Sequence, residues 1–379
     1  MELKKILLNL RNTINEIDEL ILNLLSKRRK IAIKIAKKKI ANNFPIKDQN
    51  RENELLQKLL HIGKLYQLPE KYIQKIFQII IQDSVMIQQQ IKIQLNQKNN
   101  FKKKIFSCLG PYGSYSYIIS TKFTTQYYKN YIIKEYNNFQ DIFVSIENNQ
   151  SHYAIVPIEN STSGFIYEVY HLLCSKKLTI VGECYLPIKN CLLVKPGTKF
   201  KEINHVYSHN QVFKQCSIFI TKFPNWNTQY THSTAQAMQI VSQNNNNNTA
   251  AIGNKNSAKF YKLHPILKQI SNIKNNNTRF FILTKNNILI SDITSNKITV
   301  LLKTKEMILF KIILLLYSQN IPIIQLESNL DYQNNIKEII YLEIQAHIKD
   351  SRIQKILKIL KKKDISIQIL GCYPVFNIL

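Results

Sequence analysis

The sequence predicts a multidomain protein: an all-α segment, then an α/β segment, then an α+β, ferredoxin-like tail. Three observations predict it. Apolar residues fall at Leu3, Leu7, Leu10, Ile14, Ile17, Ile21, Leu24, Ile31 and Ile35, spaced mostly by three and four, as on a helix with a coiled-coil-like seam. The short apolar run Ala154 to Ile158 stops at Glu159-Asn160-Ser161-Thr162-Ser163-Gly164, as where a strand of an open sheet gives way to a helix. From Lys297 onward, short strand-like runs and two helical ones alternate in a βαββαβ order. A chain of 379 residues is long for one core, and two or three domains are expected.

No proline or glycine interrupts Leu3 to Ile40, so the first helix runs about 57 Å at 1.5 Å per residue. A helix that long cannot bury its seam inside a small domain. It needs partners, and two further helices are available, roughly Asp48 to His61 and Glu70 to Leu95, punctuated by Gly63 and Pro69. The one gap in the seam holds Arg28, and a cation there is costly unless an anion meets it. Arg28 and Lys39 are eleven residues apart, which at about 100° per residue puts them within roughly 20° of one face. Arg11, seventeen residues before Arg28, lies about 100° off that face. If Arg11 serves the same pocket, it must come from a second copy of the chain. Ser84 and Gln88 are neighbours on the third helix, and Asp48, Arg51 and Glu52 cluster at the start of the second.

Residues 1–95 resemble the all-helical chorismate mutase domain, and the match rests on Arg11, Arg28, Lys39, Asp48, Arg51, Glu52, Ser84 and Gln88 in order and spacing. The resemblance implies an intertwined homodimer with Arg11 shared across the interface, and rearrangement of chorismate to prephenate. It implies that Arg11, Arg28 and Arg51 hold carboxylates, that Lys39 and Gln88 face the ether oxygen, and that Asp48, Glu52 and Ser84 fix the hydroxyl and carboxylate ends. A pericyclic reaction needs no nucleophile or proton transfer; it needs cations and donors that hold the compact conformer and stabilise charge on the breaking ether.

Residues 96–104 lose the helical pattern and end in three lysines, as a polar linker does. A strand at Ile105 to Leu109 opens the next domain and runs into Gly110-Pro-Tyr-Gly-Ser-Tyr-Ser-Tyr117, whose glycines permit close backbone approach and whose Ser114 and Ser116 offer hydroxyls at a helix start. The polar cluster after Ile158 has two readings, an ordinary helix cap ahead of Phe165-Ile166-Tyr167 or an anion-binding crevice. Farther on stand Tyr207 to Cys216, His232 to Met238 and Asn275 to Leu283; the Asn run 244–248 reads as a surface loop.

Taken together, GPYGSYS, VPIENSTSG, YSHNQVFKQC, STAQAM and TRF resemble prephenate dehydratase over residues 105–285. The resemblance implies two α/β lobes, like a periplasmic binding protein, with prephenate in the cleft between them. It implies a site of Glu159, Asn160, Thr162, Ser163, Ser208, Gln215, Ser233, Thr234, Thr278, Arg279 and Phe280. Prephenate loses carbon dioxide and water to give phenylpyruvate, so the protein must assist departure of the ring hydroxyl. Thr278 is the candidate at the hydroxyl and Arg279 the counter-charge to a carboxylate, while Glu159, held neutral, is a rival proton source. Asn210 stands where that family usually has proline.

Residues 297–379 read as strand Ile298–Lys303, helix Glu306–Gln319, strands Ile323–Ser328 and Glu338–Ala346, helix Arg352–Lys361 and strand Ser366–Leu370. This unit resembles the ACT domain that binds phenylalanine in the same bifunctional family. That family's effector motifs are altered here to Met307-Ile308-Leu309 and Glu327-Ser328-Asn329-Leu330, which removes a glycine, an arginine and a proline. Feedback by phenylalanine is therefore expected to be weak or lost.

Net charge is +28, but Lys, Asn, Ile and Tyr are abundant together while Arg and Gly are scarce, a compositional skew that builds no basic patch; nucleic-acid binding is not expected. The six cysteines form no CxxC pair and read as thiols of a reducing compartment. His205 and His209 lie four apart without the surroundings of a metal site, and neither cofactor nor metal is expected. The polar residues among the first twelve positions do not suit a signal peptide, and Ile308 to Tyr317 is too short to span a bilayer, so a cytoplasmic protein without membrane partners is expected. A binding protein that senses a small carboxylate without converting it is the alternative of a different class.

Overall fold

The structure is a computed structural model in which residues 2–42, 44–46, 48–98, 103–244, 246–285, 297–304, 308–329, 338–361 and 365–378 are described. The chain divides into a helical amino-terminal unit and a larger unit formed by almost all that follows.

The helical unit has three elements: α1 (Glu2–Ala41), α2 (Gln49–Leu65) and α3 (Glu70–Lys98). α1 is unbroken, as its lack of Pro and Gly predicts. Asp48 caps α2 by accepting the Arg51 N–H at 3.0 Å. α2 runs past the expected end at His61 because Gly63 is no breaker there: a Cβ at this position would collide with Ile73 of α3, so the glycine lets the two helices cross closely. α3 reaches Lys98, beyond Leu95 and into the expected linker, since neither Gly nor Pro stops it. Against α3, α1 uses a stripe of half-buried Leu25 and Arg28 and buried Ala32 and Ala36. The apolar seam is a different stripe. Its residues Leu7, Leu10, Ile14, Ile17, Ile21, Leu24, Ile31 and Ile35 are between 44% and 64% exposed, so two short partners from the same chain do not cover it.

The larger unit begins with a lobe of β1 (Lys104–Leu109), α4 (Tyr115–Tyr127), β2 (Tyr131–Tyr136), α5 (Phe139–Glu147), β3 (Tyr153–Asn160), β4 (Gly164–Phe165), α6 (Tyr167–Ser175) and β5 (Thr179–Pro187). The second lobe follows with β6 (Asn190–Val194), β7 (His205–His209), α7 (Asn210–Gln215), α8 (Ser217–Ile220), β8 (Asn227–Thr231), α9 (Thr234–Gln243), β9 (Thr249–Asn254), α10 (Lys255–Ala258) and β10 (His264–Leu267). The chain then returns to the first lobe as β11 (Asn277–Thr284), so two crossings join the lobes. β11 lies antiparallel between β3 and β5, and the second sheet has the order β10-β6-β9-β7-β8.

One expectation changes here. The polar run after Ile158 neither ends the strand at Ile158 nor caps a helix. β3 continues through Asn160, the chain reverses through Gly164 at φ 78°, and β4 pairs back on β3. α6 starts only at Tyr167, behind Ile166, which offers no side-chain cap. The reason is the Asn160 side chain, whose Oδ1 accepts the N–H groups of Thr162 and Ser163 and closes an Asx turn.

The carboxyl-terminal part adds β12 (Lys297–Thr304), α11 (Leu309–Ser318), β13 (Ile323–Asn329), β14 (Glu338–Ile344), α12 (Ser351–Lys361) and β15 (Ser366–Tyr373) in an antiparallel sheet of order β13-β14-β12-β15. Strand alternation divides its residues. Val300, Leu302, Ile340 and Leu342 pack under α11 and α12, while Leu301, Tyr341, Leu370 and Tyr373 join the core of the first lobe. The last strand, β16 (Val375–Phe376), adds to β5 in parallel, which the sequence did not suggest. Met307 and Leu330 of the altered effector motifs lie outside the described residues. No described helix is long and apolar enough to cross a membrane.

Candidate active sites

In the helical unit, Arg28 reaches from α1 to α3, where its Nη1 donates to the Ile80 carbonyl at 3.0 Å and to the Ser84 hydroxyl. Burial lowers the Arg28 pKa from its ordinary value more than the nearby Asp83 carboxylate raises it, as expected of a cation that lacks a close counter-ion. One turn beyond Ser84, Gln88 is buried with its Oε1 unbonded. A buried acceptor without a partner costs about 1–3 kcal/mol, which a ligand donor would recover. Lys39 curls over the end of α1 onto the Ile46 carbonyl at 2.7 Å. The structure thus brings Arg28, Ser84 and Gln88 together and does not bring in the rest. Arg11 is exposed and seventeen residues, about 25 Å along the helix, from Arg28. Exposed Arg51 lies 3.7 Å from Glu54, Asp48 is engaged as a cap, and Glu52 is half-buried.

In the larger unit an open cleft of about 620 Å³ separates the lobes, within the size usual for small-molecule sites. Six of the expected residues line it: Asn160, Ser163, Gln215, Ser233, Thr234 and Thr278. Asn160 and Thr278 are register partners on β3 and β11. The amide orientation of Asn160 follows from its neighbours. Its Oδ1 must face the Thr162 and Ser163 N–H groups, which only donate, so its Nδ2 faces Asn276 Oδ1 at 2.8 Å and Thr278 Oγ1 at 2.9 Å. Thr278 therefore accepts from Asn160 and keeps its own hydroxyl proton for a ligand. Across the cleft, the Tyr115 hydroxyl donates to Asn190 Oδ1 at 2.8 Å, and Asn190 Nδ2 donates to Gln215 Oε1 at 3.2 Å, a buried polar chain beneath the floor. Ser114 and Ser233 cap α4 and α9 with their hydroxyls, turning two helix amino termini toward the cleft wall.

Five expected residues do not line the cleft. Thr162 is exposed, and Ser208 is buried against the Ile252 carbonyl at 2.8 Å. Phe280 packs with Phe106 and Ile119 in the core below. Glu159 and Arg279 are corrected for one shared reason: each stands one residue from a cleft-facing neighbour, so the strand period of two sends both to the opposite face of the sheet. There Arg279 donates through Nε to Glu183 at 2.7 Å, through Nη2 to Glu343 at 2.7 Å and through Nη1 to Gln325 at 3.1 Å, with Glu159 at 3.7 Å. Burial opposes the Arg279 charge, yet Tyr373, Glu343 and Glu183 outweigh it and hold the pKa above the ordinary value. Arg279 is an internal ion-pair centre and meets no ligand in the cleft. Sequence reasoning also passed over His209 and His232, which do line it. Their signal was position: one ends a strand before a helix, the other precedes a Ser-Thr cap.

A family model for chorismate mutase type II matches residues 10–89 and one for prephenate dehydratase matches residues 106–288. The chain is 40% identical to the bifunctional chorismate mutase/prephenate dehydratase of Buchnera aphidicola subsp. Schizaphis graminum (strain Sg) over 380 residues, 100% of this chain and 99% of that protein. It is 39% identical to the protein of the same name from Escherichia coli (strain K12) over 374 residues, 98% of this chain and 97% of that one. Among solved structures, prephenate dehydratase in complex with L-Phe from Arthrobacter aurescens superposes with a TM-score of 0.64 at 21% identity, covering 71% of this chain and 89% of that one, a likeness of fold. Likeness at this level from α1 to β16 is family membership: the chain belongs to the bifunctional chorismate mutase/prephenate dehydratase family, which joins an isomerase and a lyase of phenylalanine biosynthesis.

Proposed function

We propose that the helical unit rearranges chorismate to prephenate around Arg28, Lys39, Ser84 and Gln88, and that the cleft converts prephenate to phenylpyruvate at Thr278. The observation that carries the second step is the bond from Asn160 to Thr278. It leaves the threonine proton pointing away from its only fixed donor, free to bind the departing ring hydroxyl. For the first step the support is a half-buried guanidinium beside a buried, unbonded amide oxygen, donors and acceptors set for a polar ligand. Division of labour follows as 1–95 for the mutase, 96–104 for the join, 105–285 for the dehydratase and 297–379 for an ACT-type regulatory domain.

The mutase site is completed, in this reading, by Arg11 of a second copy, with Arg51, Asp48 and Glu52 ordered around the substrate. The exposed seam of α1 supports it, because a rod with that much bare apolar surface is stable in water only when covered. Both reactions are placed in the cytoplasm. Phenylalanine, seen on the Arthrobacter aurescens neighbour, binds this chain weakly or not at all because the effector motifs are altered. Purified protein given chorismate is expected to form prephenate and then phenylpyruvate, without strong inhibition at micromolar phenylalanine. Thr278→Ala is expected to abolish the second step and leave the first near normal; retention of both activities removes Thr278 from the mechanism.

A further inference from the structure

Prephenate carries two carboxylates, yet none of the described residues lining the dehydratase cleft is Lys, Arg, Asp or Glu. The arginine expected to meet a carboxylate is held instead by Glu183 and Glu343 on the other face of the sheet. The ionisable side chains that do line the cleft are His209, His232 and Tyr115. Tyr115 is committed to Asn190, and burial pushes its pKa up, so it supplies no charge. Two imidazoles are left as the groups able to become cations. His209 ends β7 and caps α7; its Nδ1 accepts the Gln211 N–H at 3.2 Å, so in the neutral ring the proton sits on Nε2. His232 stands immediately before Ser233, the cap of α9.

We propose that His209 and His232 form the carboxylate-binding pair of the dehydratase cleft, His209 taking up a proton as prephenate binds. The proposal rests on the assignment of prephenate dehydration to this cleft. Burial, and next the neighbouring His232, hold the His209 pKa below the ordinary imidazole value, so the ring is neutral at pH 7. Little else competes. β7 itself carries His205 and Tyr207, β8 beside it carries Tyr230 and β9 has no ionisable residue; of the helices packed on β7, α7 carries Lys214 and α9 none. Arrival of a dianion raises the His209 pKa, so binding takes up a proton. The reaction consumes one. Prephenate dianion plus a proton gives phenylpyruvate monoanion, carbon dioxide and water: the carbon–carboxylate bonding pair moves into the ring, the ring carbon–oxygen bond breaks, and the oxygen leaves with its electron pair and the proton. Loss of one carboxylate then loosens the hold on the product.

The test compares full-length wild type with H209N/H232Q, measuring kcat and KM for prephenate from about pH 5.5 to about pH 8.5, a range that spans imidazole titration. Asn keeps an acceptor for the α7 cap and Gln keeps a donor, and neither ionises. In wild type KM is expected to climb with pH, approaching about tenfold per pH unit for one linked proton. In the double variant KM near pH 6 is expected to rise at least about tenfold and to lose its pH dependence, with kcat changed less and mutase activity of the same sample unaltered. A double variant with wild-type KM and slope overturns the pair, and so does a KM raised by the same factor at every pH. If wild type fails to convert prephenate, the assignment of the cleft falls instead. Calorimetric titration of prephenate over the same pH series then still decides whether the two histidines bind it.

Discussion

Asn160 shows how much one amide can organise. Two backbone N–H groups fix its oxygen, and that fixes its nitrogen on Thr278 and Asn276. Asn160→Asp keeps the size and the turn but removes the donor and sets a carboxylate beside a site that must receive a dianion. It is expected to lower kcat/KM for prephenate about 100-fold or more, with thermal stability near wild type and mutase activity unchanged. Steady-state assays of both reactions on one preparation check it, and an Asp variant as active as wild type removes Asn160 from the site. Glu159, one residue away, is not an alternative proton source inside the cleft, because it lies on the Arg279 side of β3.

At the scale of elements, β11 is the strand that ties the first-lobe sheet to the carboxyl-terminal sheet. Its Thr278 faces the cleft, while its Arg279 is clamped by Glu183 of β5 and Glu343 of β14, with Lys297 of β12 donating to Glu183 at 2.6 Å. The cluster pairs charges of both signs in a dry setting, and breaking such a set by removing one partner strands the other. Glu343 is fully buried. Glu343→Ala is expected to destabilise the larger unit by about 3–5 kcal/mol, and Glu343→Gln by less because an amide oxygen still accepts from Arg279. Urea unfolding followed through the larger unit measures both; two variants as stable as wild type would mean the carboxylate is dispensable.

For the molecule as a whole, the proposed second copy covers the exposed seam of α1 and supplies an Arg11 to the Arg28 site, which in one chain lies about 25 Å away along the helix. A shared site has a consequence that no monomer can imitate. Arg11→Ala and Arg28→Ala chains are each expected to be inactive as mutases alone, and the test is to co-express them. Their heterodimer holds one intact site of two, so random pairing should restore about a quarter of wild-type mutase activity. No recovery on mixing, with the dimer confirmed by sedimentation, would place both arginines in one chain. The dehydratase step, which lies in the other unit, should be untouched in all these samples.

Periodicity in the sequence determined the unbroken α1, the βαββαβ order of the tail and the α/β character of the middle, because spacing of apolar residues is a local property that survives any docking. Motif order likewise brought Asn160, Ser163, Gln215, Ser233, Thr234 and Thr278 to one cleft. What it could not supply was the face on which each neighbour lands. Thr278 and Arg279 are adjacent in the chain, yet one lines the cleft and the other meets an ion-pair cluster whose partner Glu343 is 64 residues away. The end of β3 was equally hidden, since Asn160 closes a turn only where Gly164 can reverse the chain. His209 and His232 became cleft residues only through the folding of β7 and β8 side by side. Local pattern sets what an element is; which side of it faces water, core or ligand is decided by long-range packing, and only the tertiary structure contains that.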